Sequence, residues 1–481
     1  MMQAGFFTTD ITSSLGMEGP GGYGKRYTES IHDTLKARAA VISDGRERTA
    51  IVGIDSLVVR SPEDVREIRS EIEKRTGIKP DAILIAASHT HSGGPYFGML
   101  EEEYEDAPAL IKTLIKEHST IPDPLYCEHM KKQIVTAVCE ADRRKVPAVF
   151  SSGRGFENSV AFNRRFRMKN GRTYTHPGKG NTDILEPAGS VDPDVGVLSA
   201  WDGKGNLLGC IVNYACHGTT GPGGVSADWI YYMEKTICGA MNRDAVVVFL
   251  NGACGDVTQV DNLSCCGNQY GEVSARFVGT RVGAEAIKVM AGTEKGELIP
   301  VAFKREMLKV RRRKPSAKRV EKALKVVKER LENGQTDKTE WTFAKELLIA
   351  DYICRTQPEM NVEVQGIQIG PAVYLANPAE FFCGLGLEIK KSSKFPMTFV
   401  VELANGCAGY VPDEEAFSPS GGGYETVLTS YSNLEPSAGR KIVDVSLKVA
   451  RSFNPGTLPE TPKIKSTSTL WDYGILGPDL Q

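Results

Sequence analysis

A mixed α/β fold, with a layered sheet flanked by helices, is predicted by three features. Short aliphatic runs have strand length, amphipathic stretches of helical period lie between them, and polar glycine-rich segments follow them. The runs occupy residues 49–59, 82–88, 207–214, 245–250, 373–376 and 398–403. Each is too short for a buried helix and is bounded by turn-forming residues, the pattern of a strand covered on both faces. Helical stretches occupy residues 62–76, 126–141, 228–241 and 272–290.

A fifth helix is predicted over 318–331, where Val320, Leu324, Val327 and Leu331 recur at helical spacing among many Lys and Glu. Its single apolar stripe predicts a largely solvated helix within an insertion at about 314–353. The preceding Arg311, Arg312, Arg313 and Lys314 read as a solvated strand-to-helix junction, with binding of an anion or an acidic membrane surface as the alternative. Residues 1–453 are taken as one domain and 454–481 as an extended tail, in which Leu470, Trp471 and Tyr473 offer apolar surface for packing across the domain.

The composition excludes several classes. Of the 481 residues, 41% are hydrophobic and 25% charged, and the formal net charge of -2 supplies no basic excess for nucleic acid. No apolar run reaches the length of a membrane span, and the first residues, MMQAGFFTTDITSSLG, lack the basic-then-apolar order of a secretory signal, so a cytoplasmic protein is expected. The 11 cysteines are scattered without a CxxC pair, which argues against a disulfide framework or a cysteine zinc site. Vicinal Cys265 and Cys266 are either a redox-active pair or plain loop cysteines.

The chemistry concentrates after the apolar runs, where loops following strands commonly build sites. Residues 82–88 lead into His89-Thr90-His91-Ser92-Gly93-Gly94, and 207–214 into Ala215-Cys216-His217-Gly218-Thr219-Thr220, so three of the 7 histidines sit in two such segments. Residues 245–250 lead into Asn251-Gly252-Ala253-Cys254-Gly255-Asp256-Val257-Thr258, 373–376 into Asn377-Pro378-Ala379-Glu380-Phe381, and 398–403 into Ala404-Asn405-Gly406-Cys407-Ala408-Gly409-Tyr410. Strands sharing one sheet would bring these ends to one pocket. The i, i+2 spacing of His89 and His91 puts both side chains on one face of an extended segment, whereas a tight turn would separate their roles. Taken singly, His89, His217, Glu380 and Tyr410 each fit a structural role as well as a ligand role. The Gly/Pro-rich segments 176–194 and 418–423 are candidate walls of the site.

In this order the segments resemble the motifs of the neutral ceramidase catalytic domain. SHTHSGG is similar to that family's THTHSGP, ACHGTT to its histidine-bearing second motif, and NGACGDVT to its NCGDVS-type motif. NPAEFF is similar to its PGEFT block, and AGYVPDEEAF followed by GGGYET to its last tyrosine-containing region. The resemblance runs from about Gly5 to Leu428, with the helical insertion matching poorly.

It implies one catalytic zinc ion held by His89, His217, Glu380 and Tyr410, a mixed nitrogen and oxygen set that suits this metal. It leaves His91 as a proton-transfer or supporting group. Tyr424 matches a tyrosine that stabilises an oxyanion, or anchors a glycine-rich loop. Arg164, in Phe162-Asn163-Arg164, matches the arginine of the family's Asn-Arg motif, or is solvated. Asp256 orients a ligand or caps a helix. Thr258 stands where the family pattern has serine, keeping a hydroxyl but adding a methyl group. The implied activity is hydrolysis of an N-acyl amide by metal-activated water. The alternatives are an esterase, lactonase or deacetylase acting on a small acylated metabolite or sugar, and a non-catalytic binding protein that keeps the metal for structure. The resemblance also implies a following immunoglobulin-like domain, and the sequence ends soon after its catalytic motifs, so the expectation is the catalytic domain without that module.

Overall fold

Leu207–Tyr214 and Val246–Asn251 run side by side and parallel, because the helix between them carries the chain back along the sheet. The same strand-helix-strand unit occurs twice more. Arg48–Ile54 lies parallel to Ile83–Ala87 with a helix between, and Ala372–Ala376 lies parallel to Met397–Val401 in the same way. Antiparallel strands extend each pair into its own sheet. Lys36–Ser43, Gln3–Asp10 and the short Val146–Pro147 extend the first, Asp194–Trp201 and Val149–Phe156 the second, and Glu359–Ile369 and Val301–Arg311 the third. The six predicted runs are strands, and they divide among three sheets rather than sharing one.

The computed structural model describes residues 1–481 other than 268, 337, 464, 466–470 and 472. Among the described residues the α-helices are α1 (Pro62–Thr76), α2 (Ala109–His118), α3 (Pro124–Arg143), α4 (Trp229–Ala240), α5 (Gly271–Gly292), α6 (Ala317–Glu332), α7 (Thr339–Thr356), α8 (Cys383–Ser392) and α9 (Ala438–Arg451). The α1 boundaries follow from local chemistry. Ser61 Oγ accepts the Asp64 N–H at 3.1 Å, Pro62 occupies the first turn, and Gly77 closes the helix at φ 73°.

Alternation along the strands explains the packing. Leu84 joins Ile51 and Ala40 on the inner face of the first sheet, where they meet Ile211 and Val248 of the second and Tyr374 and Phe399 of the third in one shared core. Ile83 and Ile85 point the other way, onto α1 and α3. The outer face of the second sheet is covered by α4 and α5, and that of the third by α8 and α9. With both faces buried, these strands read as continuous apolar runs.

Four expectations change. The strand predicted over 49–59 ends at Ile54, because the Asp55 carboxylate accepts from Lys36 N and Arg38 Nη1, both at 2.8 Å, and turns the chain. Within the insertion, α6 buries only Ala323 and Val327, as its stripe predicts, but α7 buries Trp341, Leu347, Leu348 and Ile349 against α2 in a separate core. The basic run is a strand-to-helix junction that is only half solvated: Arg311 and Lys314 are exposed, whereas Arg312 and Arg313 are partly buried and bonded. Arg312 Nε donates to Gln357 O at 3.0 Å, while Arg313 donates to Thr426 O at 2.7 Å and Ser432 O at 2.8 Å, bracing the segment around Tyr424. Cys265 and Cys266 are exposed and unbonded. In the tail, Gly456 N bonds Gly370 O at 3.0 Å, whereas Trp471 and Tyr473 are exposed and stack on each other rather than across the domain; Leu470 lies outside the described residues.

Candidate metal centre and active site

The C-terminal ends of the three parallel pairs converge, and each supplies part of one buried cluster. After Ile83–Ala87 the chain turns sharply at His89, whose φ of 63° is unusual for a residue with a side chain and marks a position held by its surroundings. The turn does not separate the two histidines. His91 Nε2 lies 3.4 Å from His89 Nε2. His217, after Leu207–Tyr214, brings its ring centroid to 4.5 Å from that of His89.

Each imidazole is oriented by a backbone carbonyl. The Nδ1 atoms of His89, His91 and His217 lie 2.8 Å from Leu57 O, 3.2 Å from Gly21 O and 3.0 Å from Val257 O. With the Nδ1 protons donated there, all three Nε2 atoms face inward, and the cluster of His89, His91 and His217 is a candidate metal-holding group. Leu57 O is free for this role because the strand has already ended at Ile54. The two histidine loops approach closely, with His91 N bonding Gly218 O at 3.0 Å, and a Cβ on Gly218 would lie 2.8 Å from His89 O.

Glu380 enters from the third sheet. Its Oε2 lies 3.1 Å from His89 Nε2 and 3.1 Å from His217 Nε2, yet it is buried without a directed hydrogen bond. The carboxylate oxygen and the two ring nitrogens are thus crowded into one small space. Ala379–Phe381 pairs in parallel with Gly409–Val411, and the register sets Glu380 opposite Tyr410. Gly255 N bonds Phe381 O at 2.9 Å, and a Cβ there would stand 2.5 Å from Glu380 O, so only glycine permits this approach.

The electrostatics favour one positive charge at the centre. Burial opposes a charge on His89, but the Glu380 carboxylate outweighs it and raises the imidazole above its ordinary value. Burial and then the Arg164 charge push His217 down to about 3, and burial with the two neighbouring imidazoles holds His91 well below its ordinary value. Burial acts to raise Glu380, and His89 overcomes it, keeping the carboxylate ionised. Three inward nitrogens and an orphaned buried carboxylate oxygen fit a divalent cation.

Arg164 is buried beside this centre. It donates to Glu425 Oε1 at 2.9 Å, Gly255 O at 2.8 Å and Tyr410 Oη at 3.2 Å, and its Nη1 lies 3.2 Å from His217 Nε2. Tyr410 Oη and Tyr424 Oη are 3.0 Å apart. Burial pushes both phenols up, against the pull of Arg164, so both are neutral hydroxyls here.

The cluster opens into a cavity of about 380 Å³ lined by His89, His91, Glu380, Tyr410 and Tyr424 and by the apolar Phe97, Met99, Ile115, Ile349 and Ile353. Thus His89, His91, His217, Glu380, Tyr410, Tyr424 and Arg164 come together. Thr258 and Asp256 do not line the cavity. Thr258 Oγ1 accepts the Val260 N–H at 3.2 Å, and Asp256 accepts from Cys383 N, the first residue of α8, at 2.8 Å and from Asn163 Nδ2 at 2.7 Å. Asp256 therefore caps a helix.

Sequence reasoning missed Glu402, Glu425, Glu346 and Tyr431. Glu402 accepts from Cys254 N at 3.0 Å and Phe381 N at 2.9 Å, tying two site loops together, and burial pushes its carboxyl up to about 8. An acid inside the apolar run 398–403 was the available signal. Glu346 and Tyr431 line the cavity from segments that no motif marked.

No family model and no curated protein matches the sequence. Solved structures do. A ceramidase complexed with C2 superposes with a TM-score of 0.69 at 17% identity, over 95% of this chain and 77% of that one. The neutral ceramidase from Pseudomonas aeruginosa gives a TM-score of 0.68 at 18% identity, over 95% and 76%. With both superpositions covering 95% of its length, this chain has the neutral ceramidase-like fold.

Proposed function

We propose that this protein is a zinc-dependent hydrolase of an N-acyl amide bond. The observation that carries the reading is the orphaned Glu380 Oε2, 3.1 Å from the Nε2 atoms of both His89 and His217, in the lining of a largely apolar cavity. The fold shared with two ceramidases supports the same class of reaction.

His89, His217 and Glu380 would hold the ion, with Tyr410 completing the set. Bound zinc supplies Lewis acidity and lowers the pKa of water. The protein's own groups do the rest. The apolar side of the cavity binds the acyl part, and the Tyr424 hydroxyl donates to the acyl oxygen as negative charge develops on it. Arg164, beneath both phenols, favours that charge. His91 is neutral at rest and fixed through Nδ1, so its Nε2 takes a proton from the attacking water and returns it to the leaving nitrogen, which departs as an amine.

Metal analysis together with hydrolysis of N-acyl amides and matched esters tests this. His89→Ala and Glu380→Ala are expected to lose both zinc and activity, and His91→Ala to keep zinc but lose turnover. Zinc content unchanged in the first two variants would overturn the ligand set. Faster turnover of esters than of amides would move the substrate class.

A further inference from the structure

A second groove shares a wall with the cavity. It is lined by Tyr174, His176, Phe343, Pro419, Gly423 and Tyr424, with Arg172 at its edge, and Tyr424 faces both spaces. Phe343 also packs on Tyr23, a lining residue of the first cavity, with ring centroids 5.8 Å apart. One buried group supports both spaces, since Glu425 accepts from Arg164 at 2.9 Å and from Thr175 Oγ1 at 2.6 Å. A substrate whose scissile bond lies at Tyr424, with its acyl part in the apolar cavity, would direct its other half into this groove.

The groove's charge is one-sided. Among the described residues that line it there is no carboxylate. Glu186, on a strand, and Glu415, in a short turn of 3-10 helix, pair with Arg167, and Glu425 is engaged by Arg164 and Thr175. Arg172 is exposed and has no ion-pair partner among the described residues. His176, also in the lining, has its Nδ1 3.1 Å from Asn262 Oδ1, which leaves Nε2 as the ring's acceptor.

We propose that this groove binds the amine half of the substrate and selects, through Arg172, an amine that carries a negative charge, as in an N-acyl amino acid. The inference rests on the hydrolase reading for its chemistry, but its binding selectivity is measured separately. The guanidinium recognises a carboxylate by charge-assisted hydrogen bonds that an alcohol cannot match.

The test uses pairs with one acyl chain and either an amino acid or the amino alcohol derived from it, titrated calorimetrically into the metal-free protein and assayed with the zinc-loaded protein. The parent is expected to bind the acid about fivefold more tightly than the alcohol, and Arg172→Gln to abolish that preference while binding the alcohol unchanged. Equal binding of the two by the parent, or a preference that survives Arg172→Gln, would overturn the proposal. Selective binding without hydrolysis of either compound would leave the subsite standing and sink the amidohydrolase reading instead.

Discussion

Glu380 and Tyr410 are register partners in a parallel ladder of only three residues per strand. The ladder fixes the two side chains on one face, and Arg164 spans from Tyr410 toward His217. The two tyrosines differ in this frame. Tyr410 stands beside the carboxylate, whereas Tyr424 borders both open spaces. Tyr410→Phe is therefore expected to weaken zinc binding in a chelator competition. Tyr424→Phe is expected to leave zinc affinity intact and lower kcat about 10²-fold, as loss of one oxyanion donor does. A reversal of the two effects would reassign the ligand.

The second prediction concerns pH and the metal-free protein. Glu402 has a folded pKa of about 8 against an ordinary 4.5, so between these values the folded state holds a proton that the unfolded state has released. Its contribution to stability is complete below 4.5, declines as pH rises, and is exhausted above 8. The slope is about 1.4 kcal/mol per pH unit for one proton. Other groups titrate in this range, so the difference between Glu402→Gln and the parent isolates the effect. The variant, a neutral mimic of the protonated acid, is expected to show a shallower loss in urea titrations from pH 6 to pH 8. Parallel profiles would refute the assignment.

The strands and the site loops were legible in the sequence to different degrees and for different reasons. Leu207–Tyr214 and Ile83–Ala87 announce themselves because burial on both faces demands continuous aliphatic residues. Gln3–Asp10 and Glu359–Ile369 mix polar residues into their pattern and were not recognised. The division into three sheets has no local signature, since it depends on contacts such as Leu84 with Val248 and Tyr374 in one core. The seven residues that converge were found through ordered motifs, not from their own chemistry. Leu57 orients His89 through its carbonyl, and no side-chain pattern reports a carbonyl. Helix α7 was missed as a wall because it buries even Lys345, whose Nζ donates to Tyr23 O at 2.7 Å and His118 O at 2.9 Å, which blurs its apolar stripe.

Gly255 supplies a third test. An added methyl would stand 2.5 Å from Glu380 O and 2.8 Å from Glu380 C, backbone atoms with no freedom to swing aside. Gly255→Ala is expected to cost about 1–3 kcal/mol of stability and to lower zinc content by displacing Glu380. Gly239→Ala, in α4 with open space at the same distance, is the control and should be neutral or slightly stabilising. Equal stability of both variants would show that the two site strands separate without penalty.

The last prediction uses α7, whose Ile349 and Ile353 line the same cavity as His89, His91 and Glu380. Ile353 is only partly buried, so a larger side chain there extends into the cavity instead of overpacking the core. Ile353→Trp would displace the part of an acyl chain that passes this wall and leave the carbonyl end untouched. Each displaced methylene forfeits about 0.8 kcal/mol, so losing two lowers kcat/KM for long-chain substrates by roughly tenfold. Acetylated substrates of the same amine, which end before the wall, should be hydrolysed at the parental rate, and zinc content should not change. A uniform loss across chain lengths would mean that the acyl group takes another route from Tyr424, and a gain for long chains would place it along the outer surface of α7.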